Sequence, residues 1–468
     1  MSRLPLQAVL FDMDGTLVDT ERLWWEAVEQ VAARPLTEAD RPDVLGRPVE
    51  HTAAWLAAST GTPAAALAET LHREFADRVR TGAVPRPGAL DLLDALARER
   101  IPTALVTASP RAVADTVLAA LGASRFAVSV TADDTEHTKP APDPYLAACR
   151  ALGLQPSGCV AVEDTETGVR SAEAAGCAVL AVPSLAPIEA APGRTVLTGL
   201  EDVTVTRLRA LLPYRLRVMT WNLWYGGTKV HDHRAKQLKV IAETDVDVVG
   251  LQETYGTAAE ELARALGWHH HSAGPNLGVI SRFPITAAPG DPDVGFYGAA
   301  GARITVGERE VEIWTAHLDS ARYGPYEEEP LAHEEVRLGQ LRDTLRRIGD
   351  AAPVVLVGDF NCPSHLDRPG VEWPVTKAAE EAGFRDSFRE ARPDPVRDPG
   401  HTWSPVHAHP EPRDRIDFVL HRGLRVLDSR TYVSGTPRTW PDVEDNDWPS
   451  DHAAVITTFS LGSGPATV

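Results

Sequence analysis

Apolar and polar positions alternate in two different textures along the chain. Residues 6–11, LQAVLF, are a continuous apolar run ending in acids, the pattern of a parallel strand buried on both faces. From about Arg22 to Arg80 the chain is alanine-rich and helical in period, with Pro and Gly breaks. Strand-then-helix units follow: ALVTAS and a helix, AVSVTADD, and CVAVEDT leading into VRSAEAAG, whose helix is expected to stop at Gly176. Asp143 is placed to cap a helix that carries Pro144 in its first turn. Alternating strands and helices predict a doubly wound parallel sheet. After Pro213 the strand signals RLRVMTWNLW, VDVVGLQE, LGVISR, EVEIWTAHLD, PVVLVGDFN and RIDFVL alternate with loops and a few helices, which predicts an α/β sandwich of two sheets.

Length and composition bound this picture. A chain of 468 residues predicts two or three domains. The expected division is 1–210 and 214–462, with the boundary between 211 and 214 and a frayed tail at 463–468. Eight of the 11 Trp and 13 of the 16 His lie beyond Tyr214, which sharpens the contrast between the halves. No apolar run is long enough to span a bilayer, and the short apolar stretch at the N-terminus reads as a strand and not as a secretory leader. A cytoplasmic protein with no membrane partner is expected. Cys149, Cys159, Cys177 and Cys362 form no CxxC pair and read as small buried hydrophobes.

Net charge is −20, from 19 basic and 28 acidic side chains in residues 1–213 and 27 and 38 in residues 214–468. Neither half is a basic body of the kind that grips a nucleic-acid backbone, so small-molecule phosphate esters are favoured as partners and nucleic acid is possible but disfavoured. Only five of the 46 basic side chains are lysines, and Lys139 is the single one in the first half. A compact ammonium and a planar guanidinium are not interchangeable, so Lys139 reads as selected for chemistry.

The first chemical constellation begins just past the first strand. Asp12 and Asp14 are two residues apart, a spacing that lets both carboxylates face the same way at the edge where parallel sheets bind ligands. One can attack phosphorus while the other moves protons. Together with DMDGTLVD come VTAS with Thr107, KPAPDPY with Lys139, and VEDTETGVRSAEAAG with Glu163 and Asp164, in that order. On these motifs the first half, about residues 6–205, resembles the haloacid dehalogenase-like phosphatases. The resemblance implies that Asp12 is the nucleophile of an aspartyl-phosphate, and Asp14 the general acid and then the base that activates water. It implies that Thr107 holds phosphoryl oxygens, that Lys139 neutralises charge, and that Asp164 with Glu163 completes a Mg2+ site with the Asp12 carboxylate and the Asp14 carbonyl. The helical insertion at about 20–82 looks like the small cap of this family, and Gly46, Arg47 and Ser109 are candidates for substrate contact. Asp14 disfavours a dehalogenase; phosphatase and mutase both stay open.

The second constellation sits on polar residues that close apolar segments: Asn222 after VMTW, Gln252 and Glu253 after VDVVGL, His317 after EIWTA, Asp359 and Asn361 in VVLVGDFN, Asp417 in DRIDFVL, and Asp451 with His452 in SDH. Six segments polar only at their C-terminal ends are hard to explain as packing. Across about residues 215–461 these motifs resemble the endonuclease/exonuclease/phosphatase superfamily, which implies a four-layered α/β sandwich with two central β-sheets. By that resemblance Asn222, Glu253 and Asp451 help position Mg2+ or Mn2+, and His452, oriented by Asp417, acts as acid/base or stabilises the transition state. Asp359 orients or deprotonates the attacking water, Asn361 holds a phosphate oxygen, and His317 is the second active-site histidine. Water would attack directly, with no covalent intermediate.

Weaker features carry bland readings. His269, His270 and His271 are adjacent strand residues that cannot all face one metal, so edge or surface placement is expected; His231 and His233 form an HxH pair. His365 and Asp367 contact substrate or cap a turn. The acidic run 327–329 reads as a solvated loop. Tyr323, Tyr326, Trp373, Trp403, Trp440 and Trp448 could wall a stacking site, with core packing the default. Two complete sites on one chain suggest a sequential hydrolase of small phosphate esters; the alternatives are a nuclease fused to a nucleotide or sugar phosphatase, or one half kept as a binding module, which the intact acids disfavour.

Overall fold

The computed structural model describes residues 3–461 apart from 46–48, 83, 185, 192, 291–292, 308, 322–330, 332–333, 352, 368–370 and 408–412. Gly46, Arg47, Tyr323, Tyr326, the acidic run 327–329 and the expected tail 463–468 therefore lie outside the described residues. The described chain divides into two compact units between Pro213 and Tyr214. Among the described residues no helix is long and apolar enough to cross a membrane.

The first unit runs β1 (Ala8–Phe11), α1 (Glu21–Ala32), α2 (Arg41–Val44), α3 (Val49–Thr60), α4 (Ala64–Gly82), α5 (Ala89–Arg98), β2 (Thr103–Val106), α6 (Arg111–Leu121), β3 (Val128–Val130), α7 (Asp143–Leu152), β4 (Cys159–Glu163), α8 (Glu166–Ala175), β5 (Ala178–Ala181), β6 (Arg194–Val196) and α9 (Val205–Leu211). All strand pairs are parallel, in the order β3-β2-β1-β4-β5-β6. Successive strand residues bury on opposite faces: Val9, Phe11, Leu105 and Val160 pack with α1, α3 to α6 and α9, while Ala8, Leu10, Ala104 and Ala161 pack with α7 and α8. That two-sided burial is why these strands read as unbroken apolar runs. Gly176, at φ 89°, ends α8 in the left-handed region. The expected cap of α7 moves by one residue: Asp143 is already helical, Pro142 holds the cap position, and the Asp143 carboxylate faces His137 Nδ1 at 3.3 Å. All four cysteines are free and buried.

The second unit runs β7 (Tyr214–Asn222), α10 (His233–Thr244), β8 (Val248–Gln252), α11 (Ala258–Leu266), β9 (His269–Ala273), β10 (Leu277–Ser281), β11 (Ile285–Ala287), β12 (Gly298–Val306), β13 (Arg309–His317), α12 (Glu334–Ile348), β14 (Val354–Asp359), α13 (Pro374–Glu381), β15 (Arg385–Asp386), α14 (Ser387–Ala391), β16 (Asp417–Arg422), β17 (Arg425–Tyr432) and β18 (Ala454–Leu461). Its two sheets are ordered β17-β18-β7-β8-β10-β9 and β11-β12-β13-β14-β16-β15. Val218, Val248, Val279, Ile313, Val357 and Phe459 fill the space between the sheets. Met219, Trp221 and Leu251 turn outward under α10 and α11, and Trp314, Leu356 and Phe418 turn outward under α12 and α13. The layers are thus helix, sheet, sheet, helix. Gln252 belongs to the seam and not to the chemistry: its Nε2 donates to Thr220 Oγ1 at 3.1 Å and, across the sheets, to Thr315 Oγ1 at 2.8 Å. The triplet His269–His271 lies on the edge strand β9, and Trp373 and Trp448 are fully buried.

Asp367 also proves structural. Its carboxylate takes Arg389 Nε at 2.6 Å and Arg415 at 2.9 Å, and fully buried Arg415 reaches Asp386 at 2.7 Å as well. Removing one partner of a buried pair leaves charge uncompensated, so Arg415→Met is expected to destabilise the second unit by about 3–5 kcal/mol, read from its transition in chemical denaturation. His365 is held by Thr376 and Glu380, each at 2.9 Å, on the wall of a cavity of about 430 Å³ that no catalytic candidate lines.

Two candidate active sites

β1 sits between β2 and β4, so the loops leaving these three strands meet although their motifs are far apart in the chain. Asp12 follows β1, Thr107 follows β2, and Glu163 and Asp164 close β4. Lys139 reaches in from ahead of α7. Its Nζ donates to Asp12 Oδ1 at 2.6 Å, Glu163 Oε1 at 2.6 Å and the Val106 carbonyl at 2.8 Å. Burial disfavours that ammonium, but Asp12 and Glu163 outweigh it and keep it charged.

Oxygens of Asp12, Glu163 and Asp164 lie within 4.8 Å of one another. Burial, opposed by Lys139 and aided by Asp12, pushes Glu163 up to about 7; burial first, then Asp12 and Glu163, hold Asp164 well above the usual carboxylate range. Asp12 Oδ2 and Glu163 Oε2 are buried with no hydrogen-bond partner. Unpartnered hard oxygens in a crowded acidic pocket fit a small divalent cation. Two glycines leave room for the cluster. A Cβ on Gly15, whose φ is +78°, would lie 2.0 Å from Asp164 Oδ2, and one on Gly168 would lie 2.0 to 2.1 Å from the Glu163 carboxylate. Gly168→Ala is expected to cost about 1–3 kcal/mol in stability and to weaken metal binding, measured by thermal melting with and without Mg2+.

Asp14 faces Thr20 Oγ1 at 2.7 Å, Thr107 Oγ1 at 3.1 Å and Ser109 Oγ at 2.7 Å, all three donating to its carboxylate. Burial, and then Asp12, raise its pKa, suiting a group that must hold a proton. Thr107 and Ser109, expected to meet phosphoryl oxygens or substrate, are thus engaged by Asp14 in this arrangement.

In the second unit the centre is Asp359. Its Oδ2 lies 3.0 Å from Asn222 Nδ2, 3.6 Å from His317 Nε2 and 3.7 Å from His452 Nε2, and its Oδ1 accepts the Asn361 backbone N–H at 2.9 Å. His452 Nδ1 stands 2.9 Å from Asp417 Oδ2. Burial opposes charge on His452, but Asp417, Asp359 and Asp451 outweigh it and hold the imidazolium well above its ordinary pKa. His317 goes the other way: burial, then the charge of His452, lower it to about 3. Burial is the first cause that lifts Asp359 and Asp451, each to about 7.

Asn222 directs its amide nitrogen toward both Asp359 and Glu253, while its oxygen accepts the Trp224 N–H at 2.9 Å. The fit to a metal therefore rests on Glu253 and on Asp451, whose buried Oδ1 has no hydrogen-bond partner. Asn361 gives its amide nitrogen to the Leu318 carbonyl at 2.9 Å. Asp417, Asp451 and His452 correct one expectation: they precede β16 and β18 or open them, because those strands run antiparallel to β14 and β7, and so reach the same edge from the opposite direction.

The backbone here is strained. Trp224, Tyr225, Glu253, Tyr255 and Asn361 all have φ between 48° and 55° without being glycine. Such residues persist where the surroundings over-determine them, commonly at functional sites. Tyr225 (47% exposed), Tyr255 (47%), Phe296 (36%) and Trp440 (50%) are the exposed large aromatics among the described residues. The first three form a run of ring contacts, Tyr225 to Tyr255 to Phe296, that ends on His317, and Trp440 packs against Trp224.

Several partners were not singled out from sequence. Tyr145 donates to Glu163 at 2.5 Å and Ser184 to Asp164 at 2.5 Å; Tyr145 lies inside the KPAPDPY motif, whereas Ser184 carries no local signal. Ser450 braces the second centre through the Asn222 carbonyl at 2.6 Å and the His452 N–H at 3.0 Å.

Residues 6–176 match the family model described as haloacid dehalogenase-like hydrolase, and residues 219–452 match the Endonuclease/Exonuclease/phosphatase family. An uncharacterized protein of Caenorhabditis elegans is 31% identical over 291 residues, spanning 53% of this chain and 91% of its own. Validoxylamine A 7'-phosphate phosphatase of Streptomyces hygroscopicus subsp. limoneus is 32% identical over 43% of this chain and 96% of its own. Hexitol phosphatase A of Escherichia coli K12 is 35% identical over 42% of this chain and 93% of its own.

Proposed function

The chain belongs to the haloacid dehalogenase-like hydrolases in its first half and to the Endonuclease/Exonuclease/phosphatase family in its second, and is a two-domain hydrolase of phosphoric ester bonds; from that premise we propose that it is a bifunctional, metal-dependent enzyme acting on a small molecule. The second half cleaves a phosphodiester or one phosphate ester, and the first half removes a terminal phosphate through an aspartyl-phosphate. The observation that supports this reading is the presence of two differently built buried clusters, Asp12 with Glu163 and Asp164 in the first unit and Asp359 with Asp417 and His452 in the second. Relatives named for hexitol and validoxylamine 7'-phosphate support a phosphorylated polyol or sugar-like compound for the first half.

In the first half Asp12 attacks phosphorus. Asp14 protonates the leaving oxygen and then takes a proton from water, and Lys139 balances the charge that gathers on Asp12 and the phosphoryl group. Asp12, Glu163 and Asp164 would hold Mg2+, which supplies charge neutralisation for the phosphate. Helices α1 to α4 form the cap that limits substrate size. In the second half Asp359 orients the attacking water, His452 carries a proton held on it by Asp417, and Glu253 and Asp451, with Asn222 after its amide turns, would hold Mg2+ or Mn2+. Because Glu163 and Asp164, both raised by burial, must lose their protons to bind a cation, affinity should rise with pH through about 7, by about tenfold per pH unit per displaced proton. Mn2+ titration of a Glu253→Gln/Asp451→Asn chain, in which the second site has lost its two carboxylate ligands, at pH 6 and pH 8 checks this; equal affinities would refute it.

The test of the whole reading uses Mg2+-dependent hydrolysis of 4-nitrophenyl phosphate and bis(4-nitrophenyl) phosphate by wild type, Asp12→Asn and Asp359→Asn. Loss of only the monoesterase in the first variant and only the diesterase in the second is expected. Monoester cleavage by both halves would end the sequential diester idea. A nuclease is the second reading, supported by the exposed aromatic rim, on which bases could stack. Its mark is DNA or RNA cleavage that falls steeply with salt.

A further inference from the structure

Asn276 has no part in the roles above. It is fully buried directly ahead of β10, and its carbonyl accepts the Thr254 N–H at 3.1 Å. Its side-chain nitrogen stands 2.7 Å from the Phe296 carbonyl oxygen and 2.7 Å from His317 Nδ1. A carbonyl only accepts, so the amide group facing Phe296 is the NH2. The second hydrogen of that NH2 is then directed at Nδ1. An amide nitrogen has no lone pair to offer a ring N–H, so Nδ1 is the acceptor and the ring proton sits on Nε2. Nε2 is the atom that faces the centre, 3.6 Å from Asp359 Oδ2.

We propose that Asn276 is a positioning residue that locks His317 in the Nε2–H tautomer, making it a fixed, neutral hydrogen-bond donor to the phosphoryl group. His317 then neither gives nor takes a proton in the reaction. The proposal rests on the reading of this centre as a phosphoester hydrolase and assigns the two histidines opposite tasks. Asp417, a carboxylate that only accepts, keeps a proton on His452 Nδ1, whereas Asn276 keeps one off His317 Nδ1. Burial of His317 and the charge of His452 act in the same direction as Asn276. A donor of this kind stabilises charge that grows on phosphoryl oxygen and needs no reorganisation during the step.

The test labels the histidines of the full chain with 15N and assigns His317 by the signals lost in His317→Gln. At pH 7.5 the wild type should show an unprotonated Nδ1 and an N–H at Nε2. In Asn276→Asp the new carboxylate can only accept, and the N–H should move to Nδ1. Initial rates on bis(4-nitrophenyl) phosphate give the second arm. Glutamine places an N–H where Nε2 stood, so His317→Gln should keep kcat within about tenfold of wild type, while His317→Ala falls by about 10²–10³. An Nδ1–H or doubly protonated His317 in the wild type overturns the proposal, as does an unchanged tautomer in Asn276→Asp or a Gln variant as inactive as Ala. A chain with the Nε2–H signature that hydrolyses no phosphoester upholds the lock and sinks the assignment of the site instead.

Discussion

Asn in place of Asp12 is expected to lower phosphomonoester turnover by the first half by about 10⁴-fold or more, with no label retained on the protein after an acid quench. The substitution keeps the shape of the side chain but removes the attacking oxygen. It also withdraws the charge that, together with Glu163, holds Lys139 in place at 2.6 Å. Lys139 remains as a donor, and the Thr107 and Ser109 hydroxyls can turn to phosphate once they leave Asp14, so product inhibition by inorganic phosphate should survive. Diester cleavage by the second half should be unchanged. Retention of a tenth of the monoesterase would remove Asp12 from the role of nucleophile and with it the aspartyl-phosphate.

The second large effect is expected at Asp417. The Asp417 carboxylate holds His452 Nδ1 at 2.9 Å, and both side chains are almost wholly buried. Asn could instead donate to Nδ1, which fixes a neutral ring with its single proton on Nε2, so that Nε2 can no longer take a proton and the ring is no longer held as an imidazolium. Loss of an orienting carboxylate behind a catalytic imidazole costs about 10⁴ in rate in serine proteases, and a fall of about 10³–10⁴ is expected here. The pH profile gives the sign. The carboxylates around His452 raise its pKa, so the protonated ring persists to high pH in the wild type. With Asp417 neutralised the pKa drops, and the alkaline limb of the rate should move to lower pH. An alkaline limb that stays in place would show that another group sets it.

Much of the first site was legible in the sequence because a parallel sheet brings every strand end to one edge. Asp12, Thr107 and Glu163 each follow an apolar run, and the structure gathers them without exception. The mixed sheets of the second unit follow a different rule. There an antiparallel strand reaches the active edge with its first residue, so Asn276 is a polar residue placed before an apolar run, opposite Gln252 at the end of β8 through its neighbour Leu277. A search for polar residues that close strands passes over it. Asp417 and His452 escaped the same fate only because their motifs were distinctive. Gln252 shows the converse, a polar strand end that pins two sheets together and does no chemistry. Ser184 and Thr20 carry no periodic or motif signal, since a hydroxyl on a loop acquires its role only from what folds against it.

The last strand of the second unit, β18, does not lie at an edge. It is inserted between β17 and β7, and Asp451 and His452 stand directly ahead of it. During synthesis from the N-terminus, the first unit can close its sheet while the rest of the chain is still being made. The second cannot, because β7, its first strand, waits some two hundred and forty residues for its central neighbour. A chain that ends ahead of β18 would therefore hold every strand of the first unit's sheet but lack a central strand of the second unit, and with it the approach of Asp451 and His452 to β7.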